Sequence, residues 1–576
     1  MVTLYLGGCR RENVQLTDML IRRFRTLQTV RRLNEQERWT AFALVNHRTK
    51  GASLSESPVP ELKKHTAVPQ NAVDDFTDYF VGNLVSPNIP WMGMMYVSSD
   101  MTSQDDMAGA NDYMGSLKNS VMSEMAESNF YPQNNLSTKD EFCGACSAIL
   151  IGNDDNRNVT TYTTLTPWNF WTDTDQYGEY DTLFYKKRMN VVQAYEKFGD
   201  KLPDWMQKIY FDANADPYEM WYDFLLCIYP RFKIKRKRRS KFAKQREFSV
   251  VWMYLADGST TNSMGTSGKS QIIEESGSDW FPAVVSAWAY DGDNPYGTCP
   301  VMRNATEIRR ADMLAYETAL SIQKMNHNAY VGVASSLENF SDDPGARNIV
   351  QAMDLAPQPL PLTQTVEGAM SLQEKQESAI QKMFKNDIFS FLSRNDNAKV
   401  YTATQINTSK SEQLSLMAPM FGNYQRRIEK LVKLTVLNMA EHGRLPEGAK
   451  DILKGDGKVR VTIESTLAQE LRAYTNRDAN IALVEQAGFI AQIAPEALMN
   501  IDFDEVVRGI AIGLGVDHKV LKDKFVVMQQ KLAMQQLQAM QAQQQSQLVQ
   551  SEVNRNNAGA SNLNNAQGAN QYGRTG

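Results

Sequence analysis

The sequence predicts an α+β fold in which long amphipathic helices alternate with short antiparallel strands. Apolar residues recur at helical spacing between Asn304 and Leu437, and they alternate with polar residues between Ala148 and Tyr185. Composition agrees with a soluble globular protein, because 42% of the residues are hydrophobic and 22% are charged. At 576 residues the chain is too long for one compact core, so we expect two or three folding units.

The N-terminal part is predicted to begin with helices and to continue with strands. Residues Gln15 to Tyr79 carry apolar side chains three or four apart, and a charged, methionine-rich helix or helix pair is expected over Asp105 to Ser128. Runs with a period of two then predict strands at Ala148–Ile151, Tyr162–Leu165 and Thr182–Tyr185, and further strands are expected at Phe224–Tyr229, Ser249–Leu255 and Phe281–Tyr290. We expect the first three to form one antiparallel meander.

The densest charge feature is a basic run from Arg231 to Arg246, between two predicted strands. Its central residues are Lys235, Arg236, Lys237, Arg238 and Arg239. One interpretation is a patch that attracts nucleic acid or a membrane. The other, which we favour slightly, is a solvated loop, because one basic loop per chain fixes no binding geometry.

Two short motifs have the spacing of chemical sites. Cys143-Gly144-Ala145-Cys146 fits a redox or metal site, but the chain has no second such pair and its five histidines are scattered. We therefore expect both cysteines to pack inside a helix that leads into the strand from Ala148. Residues Gly265 to Ser270 contain a Gly-Lys-Ser tripeptide, yet Ser263 occupies the position of the first glycine of a phosphate-binding loop, so a surface turn is favoured.

Composition narrows the function further. A net charge of −5 argues against a protein that clamps DNA over its whole surface. No run of about 18 apolar residues predicts a membrane span, and the first residues lack the apolar run of a signal peptide. The five cysteines form no dense even framework, which suggests assembly in a reducing cytoplasm. No grouping of nucleophile and base, paired carboxylates or metal ligands stands out, so we expect no enzyme activity, metal or cofactor.

The central stretch reads as three helices with two unusual connectors. The first helix follows the turn Asn294–Gly297 and has a narrow face of Ile308, Ala311, Ala315, Ala319 and Ile322. A strand-rich excursion from Asn328 to Thr365 comes next, with apolar runs at Tyr330–Val333 and Asn348–Val350. The second helix carries one apolar side made of Ile380, Met383, Phe384, Ile388, Phe391 and Leu392.

A polar connector from Ser393 to Lys399 leads into the third helix, from Thr404 to Leu437. Pro419 lies within this helix and is expected to kink it, because proline lacks the N–H that a helix uses. Further along, a strand is expected at Val459–Ile463 and a glutamine-rich helix at Lys519–Val553.

The order of these parts resembles that of viral portal proteins, in particular the head-to-tail connectors of short-tailed, podovirus-type phages. Two short signatures carry the resemblance. Pro295-Tyr296-Gly297-Thr298-Cys299-Pro300 precedes the first helix, and Thr402-Ala403-Thr404-Gln405-Ile406 opens the third. One departure is Ala287-Trp288, since connectors of this type often have arginine before that tryptophan.

The resemblance implies a portal fold with a helical stem, a small α/β clip, a mixed α/β wing, a helical crown and a C-terminal barrel helix. The implied boundaries are, in order, N-terminal wing 1–302, first stem helix 303–327, clip 328–365, second stem helix 366–392, tunnel loop 393–401, kinked long helix with the remaining wing 402–490, crown and barrel 491–553, and a disordered tail 554–576.

It also implies a ring, typically of twelve subunits, at one capsid vertex of the virion, through which double-stranded DNA is packaged and ejected. Implied partners are the terminase large subunit, the major capsid protein and scaffold, and a tail adaptor or head-completion protein, with assembly in the host cytoplasm and no membrane. The tunnel loop would meet DNA through Arg394, Asn395, Asp396, Asn397 and Lys399. The clip would bind partners through Leu337, Glu338, Asn339, Phe340, Asp342, Asp343 and Arg347.

Two other classes of function remain open from the sequence. The Gly-Lys-Ser tripeptide and the basic run suggest a DNA-packaging ATPase or nuclease. The glutamine-rich helix suggests a scaffold protein of the virion without a channel.

Overall fold

The computed structural model describes residues 3–32, 35–45, 59–60, 62–97, 104–212, 214–231, 246–256, 270–292, 294–327, 329–338, 340–341, 345–350, 352–360, 366–385, 403–446, 458–465, 530–531, 533–534, 536 and 540. The chain divides into two units, residues 1–471 and 472–576. In the second unit the described residues are helical. The elements below all belong to the first unit, whose mixture of helix and sheet confirms the α+β prediction.

The helices of the first unit include the predicted N-terminal group and the three central helices. In chain order they are α1 (Thr3–Arg32), α2 (Glu35–Val45), α3 (Val68–Leu84), α4 (Gln104–Glu127), α5 (Phe130–Gly144), α6 (Val191–Phe198), α7 (Asp204–Phe211), α8 (Pro300–Arg303), α9 (Ala305–Asn326), α10 (Ala334–Leu337), α11 (Val366–Met383) and α12 (Ala403–Glu441). None of the described helices combines the length and the apolar character that a bilayer crossing requires.

The strands are mostly short and pair antiparallel. In chain order they are β1 (Met92–Val97), β2 (Cys146–Asp154), β3 (Val159–Thr164), β4 (Phe170–Thr174), β5 (Tyr180–Asn190), β6 (Trp221–Pro230), β7 (Phe248–Tyr254), β8 (Gln271–Ser278), β9 (Ala283–Ala287), β10 (Ala289–Asp291), β11 (Asn294–Thr298), β12 (Tyr330–Val331), β13 (Gln358–Pro359) and β14 (Lys458–Ile463).

The predicted single meander is wrong, because its strands belong to two sheets. One sheet has the order β3-β2-β9 and the other β4-β5-β6-β7-β8. The connection between β3 and β4 carries Trp168, whose ring packs edge-on against Trp39 at 6.3 Å and Phe42 at 5.9 Å. Burying this large side chain among the helices diverts the chain out of the first sheet before β4 begins.

Each face of the five-stranded sheet is covered by helices. Even-numbered residues of β6 point to one face, where Phe224, Leu226 and Ile228 pack under α6 and α7. Odd-numbered residues point to the other, where Leu225 and Cys227 pack under α1. Helix α6 begins with a capping box, in which Asn190 and Gln193 each accept a hydrogen bond from the other's backbone N–H. The sheet is therefore buried on both sides.

The largest core gathers the remaining helices around the three-stranded sheet. Helix α12 contributes buried side chains from its C-terminal half: Phe421, Tyr424, Ile428, Leu431, Val432, Val436 and Met439. Pro419 lies inside this helix, as predicted. Strand β14 follows α12 and pairs with β1, so that Met92 lies opposite Ile463.

The buried Arg427 and the half-buried Arg444 fix the C-terminal half of α12 within this core. Arg427 lies 2.9 Å from Glu141 of α5, and the exposed fractions of the two side chains are 1% and 7%. Its guanidinium also donates to Asn134 Oδ1 at 2.9 Å and Thr138 Oγ1 at 2.6 Å. Arg444, just past the helix, lies 2.9 Å from Glu124 of α4. A charge removed from water in this way needs its partner, because an unpaired buried ion is strongly destabilising.

We predict that replacing Arg427 with Met leaves the buried Glu141 without its guanidinium partner, and lowers the stability of this unit by about 3–5 kcal/mol. Lys433→Met is the matched control, because the Lys433–Glu429 pair of the same helix is largely exposed and contributes at most about 0.5 kcal/mol. Thermal unfolding of the purified variants measures both effects, and equal melting temperatures for the two variants would contradict the prediction.

Candidate functional site

Helices α9 and α11 form an antiparallel helical hairpin. Near one end, Gln376 of α11 donates to Glu307 Oε2 of α9 at 3.0 Å. At the other end, β12 pairs with β13, with Tyr330 opposite Pro359 and Val331 opposite Gln358. Residues 329–360, which we call the tip segment, connect the two helices.

The buried face of α9 is shorter than the sequence predicted. Ile308, Ala311 and Ala315 are buried as expected, and Thr318 is buried with them. Ala319 is exposed and Ile322 is half-buried, which corrects the prediction for that end of the helix. Residues that follow Ile322 are exposed as far as the end of the helix. One end of the hairpin is therefore set into the protein, and the other extends beyond it.

The set-in end of α11 packs against α5. Ile380 and Phe384 are buried, as predicted, and the ring of Phe384 lies 5.5 Å from that of Phe142. Met383 is half-buried. The predicted apolar residues Ile388, Phe391 and Leu392 lie outside the described residues.

A loop ahead of α3 holds the outer side of α9. The backbone N–H groups of His65 and Thr66 donate to Asp312 Oδ1 at 2.6 and 3.2 Å. The His65 ring also packs against Tyr316, with 4.5 Å between ring centres. These contacts connect the hairpin to the N-terminal helices.

The tip segment has less sheet than the sequence predicted. The predicted run Tyr330–Val333 contains β12, but the run Asn348–Val350 is not a strand, and β13 lies further along. Asn348 closes the loop with its side chain instead, since its amide both accepts from Ser341 N–H and donates to Ser341 O at 2.8 Å. The adjacent Ile349 is 93% exposed.

The hairpin and its tip segment expose many large apolar side chains. They are Met313, Tyr316, Met325, Val331, Val333, Leu337, Ile349, Met353, Leu355, Leu360, Met370 and Leu372. Soluble monomers seldom expose apolar residues in such concentration, so a surface of this kind marks contact with another protein.

Charges on the hairpin nearly cancel. Helix α9 carries three basic and three acidic residues, and α11 carries two basic and three acidic ones. Several of them, including Arg309, Arg310 and Glu317, are exposed. A surface with mixed charge holds few phosphates at once, so nucleic acid that touched it would not be bound tightly.

The first sequence signature has a structural role at the base of the hairpin. Gly297 has φ +63°, and a Cβ at this position would lie 2.3 Å from the Ala289 carbonyl oxygen, so only glycine fits. The Tyr296 hydroxyl accepts from Thr172 N–H at 3.1 Å, and the Tyr296 carbonyl accepts from Arg38 at 3.0 Å.

Two buried arginines enclose Tyr296. The guanidiniums of Arg31 and Arg38 lie 5.5 and 5.0 Å from its ring centre. Arg31 also donates to the carbonyl oxygens of Pro167 and Phe170, and burial lowers its pKa to about 10, so it remains charged at neutral pH. Sequence reasoning missed these partners, because nothing in the local pattern around Arg31 and Arg38 indicates burial.

The four described cysteines are buried packing residues, but the prediction that Cys143 and Cys146 lie in one helix is wrong for Cys146. Cys143 is the penultimate residue of α5, and Ala145 ends this helix with a left-handed backbone (φ 68°), so Cys146 begins β2 instead. The Cys299 thiol donates to the Cys143 carbonyl at 3.2 Å and accepts from Met302 N–H at 3.4 Å, at the start of α8. Burial raises the pKa of Cys146 to about 12 and that of Cys299 to about 11, and it raises the pKa values of Cys143 and Cys227 as well. Within the described residues, no group of three or more histidine, cysteine, aspartate or glutamate side chains could hold a metal ion.

The Gly-Lys-Ser tripeptide is not followed by a helix. Ser270 accepts a hydrogen bond from Ala256 N–H at 3.0 Å and leads directly into strand β8. A phosphate-binding loop needs a helix N-terminus at this point, so the motif does not form one. Residues Gly265 to Lys269, for which a surface turn is predicted, lie outside the described residues.

The predicted site residues are only partly within the described regions. Leu337, Glu338 and Arg347 are exposed, and Phe340 is half-buried with its ring 4.6 Å from that of Tyr330. Asn339, Asp342 and Asp343 lie outside the described residues. So do the tunnel-loop residues (Arg394, Asn395, Asp396, Asn397 and Lys399) and the centre of the basic run (Lys235, Arg236, Lys237, Arg238 and Arg239).

Comparison with known proteins finds one family over most of the chain. A family model described as bacteriophage head to tail connecting protein matches residues 17–521. A probable portal protein of Bordetella phage BPP-1 is 25% identical over 456 residues, which cover 77% of this chain and 76% of that protein. A portal protein of Salmonella phage epsilon15 is 24% identical over 356 residues, which cover 60% of each chain.

We predict that the four buried thiols resist alkylation in the folded protein. With pKa values of about 11–12 for Cys146 and Cys299, very little thiolate exists at pH 8, and thiolate is the reactive form. In a Cys9→Ser variant, iodoacetamide should add to no cysteine of the native protein and to four after denaturation in guanidinium chloride, as counted by mass spectrometry. Rapid labelling of Cys143 or Cys146 in the native state would instead indicate a redox pair.

Proposed function

Because the chain belongs to the family of bacteriophage head-to-tail connecting proteins and functions as a portal protein at a capsid vertex, we propose that its copies close into a ring around a channel for double-stranded DNA. Helices α9 and α11 form the stem of this ring and the tip segment forms its clip. The ring has twelve subunits, assembles in the host cytoplasm and becomes part of the virion.

The observation that carries this proposal is the exposed apolar surface of the helical hairpin. Met313 and Tyr316 are exposed on α9, whose other face buries Ile308, Ala311 and Ala315, and Met370 is exposed on the N-terminal half of α11. Contact with a further protein surface would cover them. Each hairpin therefore supplies apolar area to a neighbouring copy.

The balanced charge of the hairpin supports a passage rather than a clamp. A channel that neutralised many phosphates would hold DNA and make movement slow, whereas mixed charges allow it to slide. Contacts to the phosphate backbone carry no sequence information, as a passage for any DNA requires.

The tip segment supports docking of the packaging and tail components. Leu337 and Ile349 expose apolar surface beside the charged Glu338 and Arg347, which is the mixture found in many protein interfaces. We propose that this segment, with Asn339, Phe340, Asp342 and Asp343, binds the terminase large subunit during packaging and a tail adaptor or head-completion protein afterwards. The wing would contact the major capsid protein and scaffold.

The connection between α11 and α12 is proposed as the tunnel loop. Phe384 holds the end of α11 in the core, and α12 begins at Ala403, so the residues between them connect the stem to the long helix. Arg394 and Lys399 would touch phosphates weakly, with Asp396 limiting the attraction.

Electron microscopy of the purified chain tests the ring. Annular particles are expected for the native sequence. Exposed Met313 and Met370 would each bury apolar area worth about 1.5–3 kcal/mol, so Met313→Glu with Met370→Glu should abolish rings at concentrations where the native protein forms them. Met19→Glu is the matched control, because Met19 is exposed on α1, and it should leave the rings intact. Elongated oligomers would favour a scaffold, and ATP turnover would favour an enzyme.

Deleting Asn395–Asn397 tests the tunnel loop separately. Rings should form as before, because the deletion lies outside the hairpin surface, while virions should contain little DNA because the loop no longer holds it. Quantifying DNA per particle measures the effect. Full-length genomes at normal yield would exclude a gating role and leave the ring proposal standing.

A further inference from the structure

The two ends of the five-stranded sheet carry different chemistry. One end lies beside α12, where Lys430 pairs with Glu179 and Arg246 lies 2.7 Å from Glu441. At the other end Asn190 lies opposite Trp221, and α6 begins with Val191 donating to the Met220 carbonyl. The length of β6 separates the two ends.

The end away from α12 exposes a stacked aromatic cluster. The rings of Tyr195 and Tyr210 stack with 4.1 Å between their centres, and Phe211 meets Tyr195 edge-on at 5.5 Å. Phe211 is 68% exposed, and Tyr218 further along is 64% exposed. Aromatic side chains at protein surfaces are favoured anchors for binding, and their faces attract cations.

The same surface is acidic. Residues 191–220 contain six acidic and three basic side chains. Asp212 and Asp216 accept hydrogen bonds from the backbone N–H groups of Asn214 at 3.0 Å and Tyr218 at 2.9 Å, which holds both carboxylates in place. We call Tyr195, Tyr210, Phe211, Asp212, Asp216, Tyr218 and Glu219 the acidic aromatic surface.

The basic run supplies a partner of opposite charge. Residues 232–245 contain eight lysines and arginines and no acidic residue. The flanking arginines already have partners at the α12 end of the sheet, since Arg231 lies 3.1 Å from Glu275 and Arg246 pairs with Glu441. Charge complementarity therefore selects the fourteen residues between them as the occupant of the acidic aromatic surface.

The length of residues 232–245 decides whether they can dock on the acidic aromatic surface of their own subunit or only on that of a second copy. Nine residue steps of β6, from Trp221 to Pro230, span about 30 Å in a strand. The segment between Arg231 and Arg246 makes fifteen Cα steps, so its midpoint extends at most about 27 Å from its fixed ends. Only this midpoint could approach the opposite end of its own sheet, so docking of the whole segment on the acidic aromatic surface requires a second copy.

We propose that residues 232–245 of one copy dock on the acidic aromatic surface of a neighbouring copy. Complementary surfaces at opposite ends of one subunit make a head-to-tail contact, the type that closes a ring when the rotation between subunits permits it. The proposal depends on the ring described above, and it assigns to the basic run a role in assembly instead of nucleic-acid binding.

A double-mutant cycle tests this contact in the full-length protein. Asp212→Asn, Asp216→Asn and Glu219→Lys together change the surface charge by +4 and keep the oxygen atoms that accept the backbone N–H groups. Lys235→Glu with Lys237→Glu changes the basic run by −4. Glu127→Lys with Asp155→Lys is the control, since it adds the same +4 at two exposed acidic residues elsewhere.

Mass photometry gives the subunit concentration at which half of the chains are in rings. Each test variant should raise this concentration about tenfold, and the two combined should also raise it about tenfold, because they break one contact. The control should match the native protein, and unchanged circular dichroism should show that all variants fold.

Three results would overturn the proposal while leaving the portal function intact. The first is native ring assembly in both test variants, which would leave the surface free for a basic segment of another protein. The second is a rise of about a hundredfold in this concentration for the combined variant, which would mean that the surface and the basic run affect assembly separately. The third is a change in the melting temperature of the test variants with no change in the concentration dependence of ring assembly, which would place the contact within one subunit.

Discussion

The buried pair of Arg427 and Glu141 sets the position of α12, and the rest of the first unit is arranged around it. A helix can slide by one turn along an apolar groove at modest cost, but a slide here would separate two charges that water cannot reach. Glu141 also accepts from Ser147 of β2 at 2.8 Å and from Ser286 of β9. One carboxylate thus fixes a helix, the neighbouring helix and two strands in a single register.

That register extends to the base of the helical hairpin. Helix α5 carries Glu141 and, on the next residue, Phe142, whose ring packs on Phe384 at the end of α11. The α9 side of the hairpin is buried where it meets this network, at Ile308, Ala311, Ala315 and Thr318, and the residues of α9 beyond Ile322 are exposed. Because the exposed end of the hairpin has few buried contacts of its own, we expect contact with a partner to order it.

Local periodicity predicted the helices well and the sheets only in part. Helices α9 and α12 follow from apolar spacing, because a helix satisfies its backbone within one segment. Strand β1 pairs with β14 across more than 350 residues, and Trp168 separates two sheets by entering a helical core, so neither arrangement is visible in a local window. Ala319 shows the same limit within the candidate site, because it lies on the predicted apolar side of α9 and is nevertheless exposed. The apolar pattern predicts which side of the helix is buried, but it does not show how far along the helix its packing partners extend.

Within the described residues, several arginines are buried in the core, while the hairpin exposes apolar side chains. Arg31, Arg38 and Arg427 would each be strong candidates for binding a phosphate from sequence alone, yet all three are buried and hold backbone carbonyls or side chains in place. The described side chains that the hairpin and its tip expose for contact are mainly methionines, leucines and valines, with Tyr316 and Ile349. Because apolar contact is non-directional and tolerant of exact side-chain identity, specificity must come from the rigid placement of the hairpin and from charges at its margins. The signature around Tyr296 and Gly297 therefore fixes the connection between sheet and hairpin, where a larger residue in place of Gly297 would clash with the Ala289 carbonyl oxygen and change the angle of the hairpin.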